Sequence, residues 1–144
     1  MGWPQGALGG DTDGDGYLDV ATGLPGDDLG ATTDAGSVLV LRGSASGLTG
    51  AGATSFTQST SGVPGTAERL DRFGAETALV DGDGDGDKKD GLVVGDPDEN
   101  AGNGAAWTFS AASGGITARG SASFGGATLG LATTGSRFGR SLDD

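Results

Sequence analysis

The chain has 144 residues, 32 of them Gly, with 20 acidic side chains against 8 basic ones, a formal net charge of -12, and neither His nor Cys. That length can bury a core, but so much Gly argues against long helices, where each costs roughly 1 kcal/mol relative to Ala, and favours short strands and tight turns. The charge disfavours nucleic acid and suits hard cations, while the missing thiols and imidazoles exclude disulfides, zinc thiolate sites, Ser-His-Asp triads and thiol catalysis.

In chain order, "MGWPQGALGG" lacks the charged and apolar regions of a signal peptide, and no apolar run of the chain is long enough to span a bilayer. A first strand is predicted at 4–8. Next comes the Asp-rich stretch "DTDGDGYLD" at 11–19, then "LDVAT" at 18–22, "SVLVLR" at 37–42 and "TSFTQ" at 54–58. "GLPGDD", "GSASG" and "SGVPG" punctuate them as turns. The apolar run "VLVL" predicts an inner strand buried on both faces.

The order then recurs. "FGAETALV" at 73–80 leads into the acidic "DGDGDGDKKD" at 81–90, followed by "GLVVG", the turn "GDPDENAGNG", "AAWTFSA" and a weaker strand around "SASFGG". "RFGRSLDD" at the C-terminus reads as the start of a third copy. Gly2, Gly74 and Gly139 mark the copies, 72 and 65 residues apart, a period that suits a multi-stranded blade rather than a helical solenoid unit. The units are therefore 1–72, 73–136 and the beginning of another at 137–144. Helical periodicity is absent.

Phe-Gly, a DxDGDG loop, an apolar strand and a Gly-x-Pro turn, in that order, resemble the FG-GAP repeat, which builds the integrin α-subunit β-propeller and related bacterial secreted proteins. The residues that carry the likeness are Gly2, "DTDGDGYLD" and "VATGLPG" in the first copy, and Phe73-Gly74, "DGDGDGDKKD" and "LVVGDP" in the second. The departures are Met1 in place of Phe, a second loop longer by two residues, and loss of the outer-strand pattern after about Ala111. The resemblance implies an all-β fold of propeller-type blades, each of four antiparallel strands, with two blades and the start of a third. Relatives resemble seven-bladed rings, so the chain is expected to be a fragment of a longer propeller or a protomer that completes one head-to-tail.

Calcium loops of the EF-hand type take ligands from positions 1, 3, 5, 7 (a backbone carbonyl) and 9, with Gly at 6 for the sharp turn. The first loop matches with Asp11, Asp13, Asp15, the Tyr17 carbonyl and Asp19, and Gly16 at the turn. Position 12 is Thr22, so the bidentate Glu is missing, and Asp19 would ligate directly, as the resemblance implies. In the second loop two frames compete. Counting from Asp81 yields Asp81, Asp83, Asp85 and the Asp87 carbonyl, with Gly86 at the turn and Asp90 closing the site one residue late. Counting from Asp83 restores the distance to "LVVG" but puts Lys88 at the turn. The first frame keeps the turn Gly and is preferred. Both loops are oxygen cages suited to Ca²⁺ in a structural role.

Phe73 and Phe138 are expected as blade-core anchors, Trp3 and Trp107 as packing residues, and Arg69, Asp71 and Arg72 as a solvated charge cluster. With its clustered carboxylates assigned to metal loops, the chain is expected to have no active site. It is expected to be a calcium-binding extracellular or cell-surface module for adhesion, recognising a protein or glycan, with self-association through open blade edges. Alternatives are an accessory domain of a larger secreted hydrolase or surface protein, and a calcium-stiffened spacer.

Overall fold

The computed structural model describes residues 9–81, 88–131 and 133–142. Apolar residues at alternate positions, bounded by Gly, Pro and Asp, form two four-stranded antiparallel meanders. The first comprises β1 (Gly9–Gly10), β2 (Asp19–Leu24), β3 (Ser37–Arg42) and β4 (Thr49–Phe56), in spatial order β1-β2-β3-β4. The second comprises β5 (Glu76–Val80), β6 (Gly91–Asp96), β7 (Ala105–Phe109) and β10 (Ala122–Gly125), in spatial order β5-β6-β7-β10. Between β7 and β10 the chain makes a small hairpin of β8 (Ala111–Ala112) and β9 (Gly115–Ile116). That insertion explains why the repeat pattern fades after Ala111: the outer strand is still built, one hairpin later.

The fold is all-β, with antiparallel sheets of the propeller-blade type. Helical structure among the described residues is confined to a turn at Glu99–Gly102 and a 3-10 turn at Ala127–Leu129. The expected strand at 4–8 lies outside the described residues. The strand expected at 54–58 runs earlier, over Thr49–Phe56: Phe56, Ser55 and Thr54 pair with Val38, Leu39 and Val40, and after a register shift Thr49 pairs with Arg42.

One hydrophobic cluster joins the two sheets. Val38, Val40 and Phe56 from the first meet Leu92, Val94, Trp107 and Phe109 from the second. Phe56 and Phe109 rings lie 5.2 Å apart, and Phe73 meets Trp107 edge-on at the same separation. Trp107 is buried and donates its indole N–H to the Pro64 carbonyl at 2.9 Å. Its expected packing role is what the structure shows. The "VLVL" run departs from expectation. Val38 and Val40 are buried, but Leu39 and Leu41 are half-buried, because the second sheet covers one face of β3.

The sheets meet through a repeated clamp. Phe73, fully buried, bridges Gly36, and the following Gly74 lies against Gly23 at the end of β2. The second sheet repeats this with Phe138 bridging Gly104 and Gly139 lying against Gly95. Phe138 is half-buried, less enclosed than Phe73. A side chain at Gly23 would place its Cβ 2.7 Å from the Gly74 carbonyl carbon, closer than carbon atoms pack. Phe-Gly and the Gly of the Gly-x-Pro turn are thus the two halves of one backbone-to-backbone contact.

Candidate metal centre

The loop at 11–19 leaves β1 at Gly10 and returns at Asp19, and pairing of those two residues holds its ends together. Inside it, carboxylate oxygens of Asp11, Asp13 and Asp15 lie within 4.8 Å of one another. The backbone supports the arrangement. Gly14 and Gly16 N–H groups donate to Asp11 Oδ1 and Oδ2 at 2.7 and 2.9 Å, Asp15 N–H to Asp13 Oδ1 at 3.1 Å, and Tyr17 N–H to Asp15 Oδ1 at 2.9 Å. Gly16 has φ 89°, a left-handed turn that a side chain would strain. Three carboxylates this close repel one another, and Arg42 at the end of β3 offsets part of that by pairing with Asp13 Oδ2. The donors are all hard oxygens on a tight loop, a set that fits Ca²⁺.

Asp19 stands apart from those three. Fully buried, it accepts from Thr12 N–H at 3.0 Å and from the Thr12 hydroxyl on Oδ2, and from Gly43 N–H at 2.8 Å on Oδ1. It ties the loop to the turn after β3. Thr12, itself fully buried, is a loop residue that alternation of Asp and Gly did not single out. Tyr17 has an exposed side chain.

Of the second loop, Asp83, Asp85 and Asp87 lie outside the described residues. Asp81 and Asp90 flank them. Asp90 reaches the first loop: its Oδ2 accepts from Asp11 N–H at 2.8 Å, while its own N–H donates to the Asp11 carbonyl at 2.9 Å. Burial, with the nearby charge of Asp81 and Asp11, raises the Asp90 carboxyl above the usual range despite that N–H donor. Asp90, the last residue of the second acidic stretch, is therefore a neighbour of the first loop in space.

A further acidic group was not anticipated. Asp71, between the sheets, Asp96, at the end of β6, and Glu99, in the following turn, are all buried, with carboxylate oxygens within 4.8 Å of one another. The solvated cluster expected of Arg69, Asp71 and Arg72 is therefore corrected at Asp71, which is 2 % exposed, while Arg69 and Arg72 are exposed as expected. The segment before Phe73 is carried under the β6–β7 turn by the clamp, which takes Asp71 inward. Glu99 accepts from Gln58 Nε2 at 2.8 Å and Asn100 Nδ2 at 3.0 Å, and Asp96 Oδ1 accepts from Asp98 N–H at 3.2 Å. Burial, then repulsion from Glu99 and Asp71, pushes the Asp96 carboxyl up to about 8. Burial raises Glu99 to about 7, against the lowering effect of the Gln58 hydrogen bond, and burial also raises Asp71. The available signal was a carboxylate placed directly after the apolar run "LVVG", where the first copy has Leu24.

Residues 2–41 match the family model of the FG-GAP repeat, a stretch that contains the first acidic loop, β2 and all but the last residue of β3. A comparison with curated proteins finds no match.

Proposed function

With an FG-GAP repeat at residues 2–41 as the starting point, we propose that this chain is a calcium-stabilised, non-catalytic module of the β-propeller type that recognises a protein or glycan outside the cell. The observation that carries the reading is the convergence of Asp11, Asp13 and Asp15 on one point of a loop clamped between β1 and β2. Bound there, Ca²⁺ offsets carboxylate repulsion and pins the loop, so its binding free energy adds to folding. Sites of this type in extracellular modules bind with Kd around 10⁻⁴–10⁻³ M, useful where calcium is plentiful. The rigid pair of sheets then serves as a frame for recognition loops.

Thermal unfolding in Ca²⁺, in Mg²⁺ and in chelator tests this. At about 100 times Kd, Ca²⁺ adds roughly 2.7 kcal/mol, and the gain falls in the double variant Asp13→Asn, Asp15→Asn. Equal melting temperatures in all three conditions would refute calcium binding and weaken the extracellular assignment with it. Binding of the Ca²⁺-loaded chain to arrayed glycans and cell-surface proteins tests the recognition role.

A further inference from the structure

We propose that Asp71, Asp96 and Glu99, together with the side-chain oxygen of Gln58, form a second Ca²⁺ site, distinct from the acidic loops and placed where the two sheets join. The two residues from the first half of the chain and the two from the second meet only because the sheets pack. Gln58 follows β4, Asp71 precedes Phe73, Asp96 ends β6 and Glu99 opens the next turn.

Clustered carboxylates alone do not make a site, and here a separate observation points to a ligand. Two buried side-chain oxygens lack a hydrogen-bond partner among the described residues, Gln58 Oε1 and Asp96 Oδ2, and both belong to this locus. Gln58 is 3 % exposed, and its amide is held against the cluster by the Nε2 bond to Glu99. Buried polar atoms without partners are rare in folded proteins and cost roughly 1–3 kcal/mol each. A cation satisfies both orphans and balances the carboxylates in one step, whereas a water donating to both oxygens leaves the carboxylate charge unbalanced.

Every donor is a hard oxygen, from three carboxylates and an amide. That disfavours soft transition metals, and an all-protein cage of carboxylate and amide oxygens suits Ca²⁺ over Mg²⁺, which keeps several waters and demands a near-ideal octahedron. Access exists from both sides. Glu99 lines an open cleft with Gly65, Trp107 and Phe124, and Asp71 lines another with Asp98 and Arg137. A cation here would tie the exit of the first sheet to the second, whereas the 11–19 loop pins strands within one sheet.

Trp107 provides a reporter for this site. A point above Gly65 lies 3.4 Å from Gln58 Nε2 and 3.6 Å from Trp107 Cζ2, so the indole flanks the cluster. The chain has two Trp, and Trp3→Phe leaves Trp107 as the remaining indole. In that background, Tb³⁺ titration should produce luminescence excited through tryptophan and quenched by added Ca²⁺ but not by equal Mg²⁺. The signal should persist in the double variant Asp13→Asn, Asp15→Asn. It should require more than about tenfold higher Tb³⁺ in Glu99→Gln or Asp96→Asn, both checked for native circular dichroism.

Luminescence lost in the loop variant but retained in Glu99→Gln would assign the ion to the loop and overturn the proposal. So would absence of a tryptophan-excited signal in the folded chain. Should the buried-site variants fail to fold, calorimetric titration with Ca²⁺ of a chain substituted in both acidic loops (Asp13→Asn, Asp15→Asn, Asp83→Asn, Asp85→Asn) decides. One ion bound supports the second site, and none overturns it. Loop failure is separable, since it would leave native and loop-substituted chains with identical titrations.

Discussion

Replacing Gly23 by Ala tests the contact on which the joining of the sheets depends. The added Cβ would sit 2.7 Å from the Gly74 carbonyl carbon and 3.2 Å from its Cα, with the carbonyl oxygen nearer still, whereas ordinary contact begins at 3.4 Å. No rotamer relieves the clash, because the obstructing atoms are backbone. Gly74 is itself backed by the Ser37 carbonyl and Val38, so relief requires the sheets to part by the better part of an ångström or more. That separation loosens the packing of Phe73 on Trp107. Overpacking of a well-filled core costs about 1–3 kcal/mol and sometimes more. With backbone on both sides, we expect the upper end, about 3 kcal/mol, or a fall in Tm on the order of 10 °C. Denaturant unfolding in chelator, followed by circular dichroism, measures it. Gly50→Ala is the control, since that position has nothing within 4 Å and no left-handed φ; it should change stability by less than about 1 kcal/mol. Equal stability of the two variants would refute the clamp.

Removing the Asp19 carboxylate with Asp19→Ala strands Thr12 and Gly43 donors in a buried place, and denaturant titration should show a loss on the order of 3 kcal/mol; less than about 1 kcal/mol would mean the loop refolds around the gap. In chelator, Asp96 and Glu99 hold protons in the folded chain that the unfolded chain releases, since their folded values of about 8 and about 7 exceed the unfolded 3.8 and 4.5. Their contribution to stability is thus fully present below those unfolded values and is lost as pH rises through about 7 to 8. Stability should fall between about pH 5 and pH 8 by an amount of order a few kcal/mol. Asp96→Asn should flatten that slope, and an unchanged slope would sink the assignment. Trp107→Phe keeps a ring beside Phe73 but loses the hydrogen bond to Pro64, and should cost about 1–3 kcal/mol by thermal unfolding.

Much of the fold was legible because its causes are local. Alternating apolar residues between Gly, Pro and Asp turns dictate strands by the two-residue period of extended backbone, and seven of the eight predicted strands can be followed into the described sheets, with shifted ends. The eighth, at 4–8, falls outside the described residues. The convergence of Asp11, Asp13 and Asp15 was equally readable, since alternate residues on a tight loop share a side. The β8–β9 hairpin was not, because two-residue strands carry no periodicity.

What the chain order by itself determined was which segments become strands, which loop gathers carboxylates, and that the unit repeats. Tertiary packing decided the rest. Asp90 binds Asp11 across 79 positions, and Gln58 binds Glu99 across 41, separations over which no local pattern constrains distance. Asp71 in "RLDRFG" looks solvated because charged neighbours surround it in sequence. Burial is a property of what the neighbouring sheet covers, and here the Phe73-Gly74 clamp carries Asp71 beneath the β6–β7 turn, where desolvation gives three ordinary carboxylates their altered chemistry.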